Sequence, residues 1–128
     1  MRRGRATILV VDDESAVVQA LAEALTSEGY VVVAAPHGLA ALEAVTVHRP
    51  DLILLDLMMP VMDGLAFLRR LRAQSPGDEV PVVLMTAATS ALLQAPERSW
   101  DHHLPKPFTF PQLEQVVQRV LARRRQPA

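Results

Sequence analysis

The chain has 128 residues, room for about one domain whose folding would bury roughly two-thirds of the unfolded chain's surface. Half of the residues are hydrophobic but only 4% are aromatic, so the core must be built mainly from Val, Leu, Ala and Ile, and a net charge of -1 gives no global attraction to nucleic acid or membrane. The absence of cysteine excludes disulfides and thiolate metal sites; with no signal-like run and no apolar stretch near the roughly 20 residues that cross a bilayer, a soluble cytoplasmic domain is expected.

Strand-like apolar runs alternate with segments of helical period, which argues for an α/β fold with a parallel sheet made of five strand-then-helix repeats. The first strand is predicted over Ala6 to Val11. A helix follows from Glu14, with Val17, Leu21 and Leu25 on one face, until Gly29 stops it. Val31 to Ala35 is the second strand; Pro36, His37 and Gly38 make a corner, and Ala41, Leu42 and Val45 form the buried stripe of a second helix. After Pro50, Leu52 to Leu55 lacks the alternation of a half-solvated strand and belongs at the centre of the sheet. Gly64 opens a third helix with Phe67, Leu68 and Leu71 inward, Ser75-Pro76-Gly77-Asp78 is a loop, and Val82 to Met85 is the fourth strand. Between Ala87 and Trp100, Pro96 cuts short a weak helical signal, so a short or irregular fourth helix is expected. Asp101 to Leu104 is a brief polar strand at an edge. A last helix, with Pro111 in its first turn, buries Leu113, Val116, Val117, Val120 and Leu121. The domain thus takes residues 6–122, with a basic arm at 1–5 and a basic tail or linker start at 123–128.

Three of these strands end on polar groups. Ile8-Leu9-Val10-Val11 delivers Asp12 and Asp13, Leu52-Ile53-Leu54-Leu55 delivers Asp56, and Val82-Val83-Leu84-Met85 delivers Thr86. In an open parallel sheet such ends converge in the crevice at the carboxyl edge, where ligands bind. Three carboxylates there form an all-oxygen cluster suited to Mg2+, which would offset their mutual repulsion. The same cation would draw in a phosphate donor and leave one carboxylate, Asp56, to attack phosphorus and form an acyl phosphate. Lys106, between Pro105 and Pro107, and the Thr86 hydroxyl can meet the phosphoryl oxygens from the side opposite the metal, and the small Ala87 lets its backbone N–H approach.

These motifs resemble the receiver domain of two-component response regulators over nearly the whole chain: Ile8-Leu9-Val10-Val11-Asp12-Asp13-Glu14, Asp56-Leu57-Met58-Met59-Pro60-x-Met62-Asp63-Gly64, Met85-Thr86-Ala87 and Leu104-Pro105-Lys106-Pro107-Phe108. The resemblance implies a doubly wound, flavodoxin-like sandwich with strand order 2-1-3-4-5. It implies that Asp56 accepts a phosphoryl group from a phosphohistidine on a sensor histidine kinase or histidine phosphotransfer protein. It further implies that Asp13, Asp56 and the backbone carbonyl of Met58 hold Mg2+ while Asp12 acts mainly through water, that Lys106 and Thr86 bind the phosphoryl group, and that the Lys106–Pro107 peptide is cis. Output would go to an effector protein or a fused output domain, and self-association into a homodimer stays open. In the family's signalling step the Thr86 position moves toward the phosphoryl group and an aromatic side chain on the last strand turns inward; here that position is His103, whose imidazole rotates like a small aromatic ring but is shorter than Tyr. The segment from Thr86 to Lys106 is about two residues shorter than the family norm, and Ser99 and Trp100 replace the usual small residues.

Taken singly, the parts have plainer readings. Asp12, Asp13 or Asp56 could cap helices or turns; Met58 and Met59 suit packing or loops better than ligation of a hard cation. His102 and His103 point to opposite faces of a strand and so do not share an ion, Trp100 suits packing, and the arginine clusters lack the recognition helix or aromatic platform that nucleic-acid binding needs. An Mg2+-dependent phosphohydrolase with an Asp nucleophile is a rival, but such enzymes usually carry an acid/base Asp two residues on, where this chain has Met58, which would instead exclude water from the acyl phosphate. A receiver-like interaction module that uses no phosphate is a second rival, opposed by the intact acidic, Thr and Lys set. A switch that does not turn over as an enzyme is the expectation.

Overall fold

A computed structural model describes residues 5–59, 62–73, 79–87 and 100–125, with side chains through residue 123. Its elements are β1 (Thr7–Val11), α1 (Ser15–Ser27), β2 (Val31–Ala35), α2 (Gly38–His48), β3 (Leu52–Asp56), α3 (Gly64–Arg72), β4 (Val82–Thr86), β5 (His102–Pro105) and α4 (Phe110–Arg125). The five strands are parallel in the order β2-β1-β3-β4-β5, the arrangement the resemblance implies. The expected short fourth helix falls on residues 88–99, and the loop at Ser75 to Asp78 falls in 74–78; both lie outside the described residues.

Alternation along the strands builds two cores. Leu9, Val11, Ile53, Leu55, Val82 and Leu84 pack with Ala41 and Val45 of α2 and Phe67, Leu68 and Leu71 of α3. The residues between them, Ile8, Val10, Leu52, Leu54, Val83 and Met85, pack with Leu21 and Leu25 of α1 and with Leu113, Val116, Val117, Val120 and Leu121 of α4. β3 is buried at every position because both of its faces are covered and both of its edges are paired. Trp100 is half-buried and packs on the α2/α3 side.

Most boundaries fall within a residue of expectation, and each difference has a local cause. β5 begins at His102 rather than Asp101 because Asp101 is spent on its neighbour: its N–H donates to the Val82 carbonyl at 2.8 Å while its Oδ2 accepts from the Val82 N–H at 2.8 Å. Asp51 treats Thr7 the same way, donating to its carbonyl at 2.7 Å and accepting its N–H at 2.8 Å. Each aspartate thereby continues the ladder one residue beyond its strand at the amino-terminal edge. α4 starts at Phe110, since Thr109 and Gln112 satisfy each other's backbone N–H groups, Thr109 N–H to Gln112 Oε1 at 2.8 Å and Gln112 N–H to Thr109 Oγ1 at 3.3 Å. Gly29 ends the α1 turn with φ of 96°, a left-handed conformation that a side chain resists.

Candidate active site

Strand register assembles the site. Val11 pairs with Leu55, Asp56 with Met85 and Thr86 with Pro105, so Asp12, Asp56, Thr86 and Lys106 all emerge at the carboxyl edge. The ladder carries past the strands, where the Lys106 N–H donates to the Thr86 carbonyl at 3.2 Å, and the Lys106–Pro107 peptide is cis.

Asp12, Asp56 and Thr86 are 1%, 5% and 1% exposed, whereas Asp13 stands in solvent. One carboxylate oxygen from each of Asp12, Asp13 and Asp56 lies within 4.8 Å of the others. Lys106 Nζ reaches the same cluster, 3.3 Å from Asp12 Oδ2 and 3.9 Å from Asp56 Oδ1. Asp12 Oδ1 accepts the Glu14 N–H at 2.9 Å, so Asp12 does shape the turn into α1 while facing the cluster with its other oxygen. Asp56 Oδ1 accepts the Met58 N–H at 3.3 Å. Burial pushes the Asp56 carboxyl above the usual carboxylate range, and Asp12 and Asp13 add to that rise, against Lys106 and the Met58 N–H, which oppose it. Three carboxylates facing one ammonium leave negative charge uncompensated at an all-oxygen site of which Asp12 and Asp56 are buried. Such a donor set fits a hard dication.

The turn after Asp56 is held by close approach. Asp63 accepts the Ala66 N–H at 2.9 Å as the cap of α3, and Gly64 donates to the Leu57 carbonyl at 2.9 Å. A Cβ on Gly64 would lie 2.8 Å from Leu57 Cα and 3.0 Å from the Asp56 carbonyl oxygen. Ala87 is exposed and lines a cleft with Glu14, Val17, Lys106 and Phe108. Met58 projects its side chain into solvent. His103 is half-buried, with Nε2 3.5 Å from the Thr86 carbonyl, while His102 lies toward Arg119 and Arg123 of α4; its burial and those two charges hold its imidazole below the usual histidine range. The two histidines therefore face apart. Glu14, which the sequence marks only as the start of α1, brings its Oε1 to 4.0 Å from Lys106 Nζ, an approach signalled by its place directly after Asp12 and Asp13.

A five-stranded 2-1-3-4-5 sheet with this acidic cluster and lysine at its carboxyl edge defines a receiver-type domain. The family model for the response regulator receiver domain matches residues 8–118, and the chain belongs to that family. Among curated proteins it is 42% identical over 117 residues to the response regulator MprA of Mycobacterium ulcerans, covering 90% of this chain and 48% of that protein. The chain thus spans about half the length of the curated relatives it matches. Among solved structures it resembles the signal receiver domain of a signal transduction histidine kinase from Syntrophus aciditrophicus, with a TM-score of 0.86, 30% identity and coverage of 96% of this chain and 95% of that one. It also resembles the response regulator protein TrrA from Thermotoga maritima in complex with Mg2+-BeF, with a TM-score of 0.81, 30% identity and coverage of 90% and 98%. Among the described residues no helix is long and apolar enough to cross a membrane.

Proposed function

We propose that this chain is a cytoplasmic phosphorylation switch whose receiver unit, residues 6–122, takes a phosphoryl group onto Asp56 from a phosphohistidine of a sensor histidine kinase or histidine phosphotransfer protein. The observation that carries this reading is the meeting of the Asp12, Asp13 and Asp56 oxygens within 4.8 Å of one another, with Lys106 Nζ 3.9 Å from Asp56 Oδ1.

Asp12, Asp13, Asp56 and the Met58 backbone carbonyl would hold Mg2+, Asp12 chiefly through water. When bound, that ion supplies charge neutralisation for the phosphoryl oxygens. An Asp56 oxygen forms the new bond to phosphorus as the bond to the donor imidazole breaks, and the imidazole keeps the electron pair and takes up a proton. Lys106 turns from the carboxylates to the phosphoryl oxygens, joined by the Thr86 hydroxyl and the Ala87 N–H. The group stays on the protein that caught it, so the chain is a switch with slow self-hydrolysis rather than a turnover enzyme. Movement of Thr86 toward the phosphoryl group is felt by His103, whose Nε2 lies 3.5 Å from the Thr86 carbonyl, and changes the surface offered to an effector or fused output domain.

Incubation with acetyl phosphate and Mg2+, followed by intact mass, should give one phosphoryl adduct on wild type and none on Asp56→Asn, with loss of the wild-type adduct when EDTA replaces Mg2+. An equal adduct on Asp56→Asn, or none on wild type, refutes the assignment.

A further inference from the structure

Of five methionines in the chain, Met58, Met59 and Met62 fall in the turn that follows Asp56. Their surroundings differ sharply. Met59 is 8% exposed in the α2/α3 core, Met85 is fully buried in β4, and Met62 is half-buried with its side chain against Gly38. Met58 is 65% exposed. Its backbone is nevertheless fixed at the reactive centre, because its N–H donates to Asp56 Oδ1 at 3.3 Å. An exposed apolar side chain is ordinary by itself; a thioether anchored to the phosphoacceptor and open to solvent is a chemical opportunity.

We propose that Met58 is an oxidation site through which a hydroperoxide shortens the lifetime of phosphorylated Asp56, an inference that rests on the phosphoacceptor reading above. The Met58 sulfur attacks the terminal peroxide oxygen, an S–O bond forms as the O–O bond breaks, and the proton shed by the transferred hydroxyl goes to the departing oxygen, which leaves as water from hydrogen peroxide or as the alcohol from an organic hydroperoxide. Sulfur gives up two electrons and the peroxide accepts them. The thioether is a weak hydrogen-bond acceptor, and hard cations avoid it. The sulfoxide is a polar acceptor that gathers and orients water. Held beside Asp56 by the same backbone contact, it replaces an apolar lip with a hydrated one just where water must attack the acyl phosphate. Burial protects Met59 and Met85 from the same reagent.

The test treats the full chain with hydrogen peroxide, locates the added oxygen by peptide mass, then phosphorylates with acetyl phosphate and Mg2+ and follows loss of the adduct by intact mass. Met58 should be modified ahead of Met59, Met62 and Met85. The adduct's half-life should fall about two- to ten-fold, the range one net hydrogen bond is worth. A methionine sulfoxide reductase should restore it, and Met58→Leu should show the same half-life with and without peroxide, whatever its basal value. Earlier modification of another of these methionines, an unchanged half-life with Met58 oxidised, or the same shortening in Met58→Leu overturns the proposal. Failure of untreated protein to form any adduct instead overturns the phosphoacceptor reading, and this inference with it.

Discussion

Replacing Gly64 by Ala separates two opposed effects by sign. Gly64 is the first residue of α3 and has no positive φ, so with free space around it the alanine would stabilise the fold by about 0.4–1 kcal/mol through the unfolded chain. The space is not free: the new methyl would stand 2.8 Å from Leu57 Cα, 3.0 Å from the Asp56 carbonyl oxygen and 3.3 Å from Leu57 Cδ1. Two of those three atoms are backbone and cannot rotate away. Overpacking of this kind costs about 1–3 kcal/mol, so the net change should be a loss of about 1 kcal/mol, read by circular dichroism as a fall in Tm of about 3–6 °C for a chain of this size. The displaced backbone carries Asp56. Since a misplacement of about 1 Å can cost about a hundred-fold in rate, the shift should slow phosphorylation by acetyl phosphate several-fold in protein that is still folded. Gly29→Ala is the control. Nothing lies within 4 Å of its new methyl, and its φ of 96° makes the cost purely conformational, about 1–2 kcal/mol, with the phosphorylation rate of the folded protein unchanged. A Gly64→Ala protein at least as stable as wild type, with an unaltered rate, would refute the reasoning.

Asp56→Asn should raise Tm at neutral pH in EDTA, because burial lifts the folded-state pKa of Asp56 above its unfolded value. The stability Asp56 contributes is then full below the unfolded pKa of about 3.9 and is lost as pH rises through the folded value. The advantage of the variant should therefore shrink toward acid pH, and a gap constant across that range counts against the burial argument. Asp51→Ala should cost about 1–2 kcal/mol in denaturant unfolding, since it strips the half-buried Thr7 N–H of its acceptor, and Asp51→Asn should recover much of the loss; equal midpoints for all three proteins would count against the role of that hydrogen bond. His103→Phe and His103→Tyr should form the phosphoryl adduct normally while changing the phosphorylation-dependent emission of Trp100, the chain's single tryptophan, three residues upstream. Responses equal to wild type in both would remove His103 from the switch.

Much of the site was legible because it obeys strand logic. Apolar runs ending on Asp12, Asp56 and Thr86 carry both the sheet and its chemistry in the same letters, and parallel register does the rest. What stayed hidden depends on geometry that spacing does not encode. Asp101 reads as a strand residue, but its carboxylate accepts the Val82 N–H and moves the start of β5 by one. Asp51 gives no sign in sequence that it holds Thr7. Glu14 lies in a motif already noticed, yet its approach to Lys106 needs the turn of α1 to be built first. The rise in the Asp56 pKa likewise follows from burial, which a string of apolar neighbours suggests only in direction.

Asp51 and Asp101 give the sheet a polarity that its strand directions alone would not. At its lower rim each carboxylate accepts a main-chain N–H in imitation of one more residue of ladder, with Asp101 Oδ2 also 3.5 Å from Arg72 Nη2, so the same type of side chain that clusters above serves as mortar below. The floor of the domain is thereby tied to main-chain N–H groups, and among the described residues the carboxylates grouped closely enough to meet a dication lie at the roof. A shift driven by new charge at Asp56 starts from a braced foundation, which favours motion of the loops over loosening of the strands beneath them.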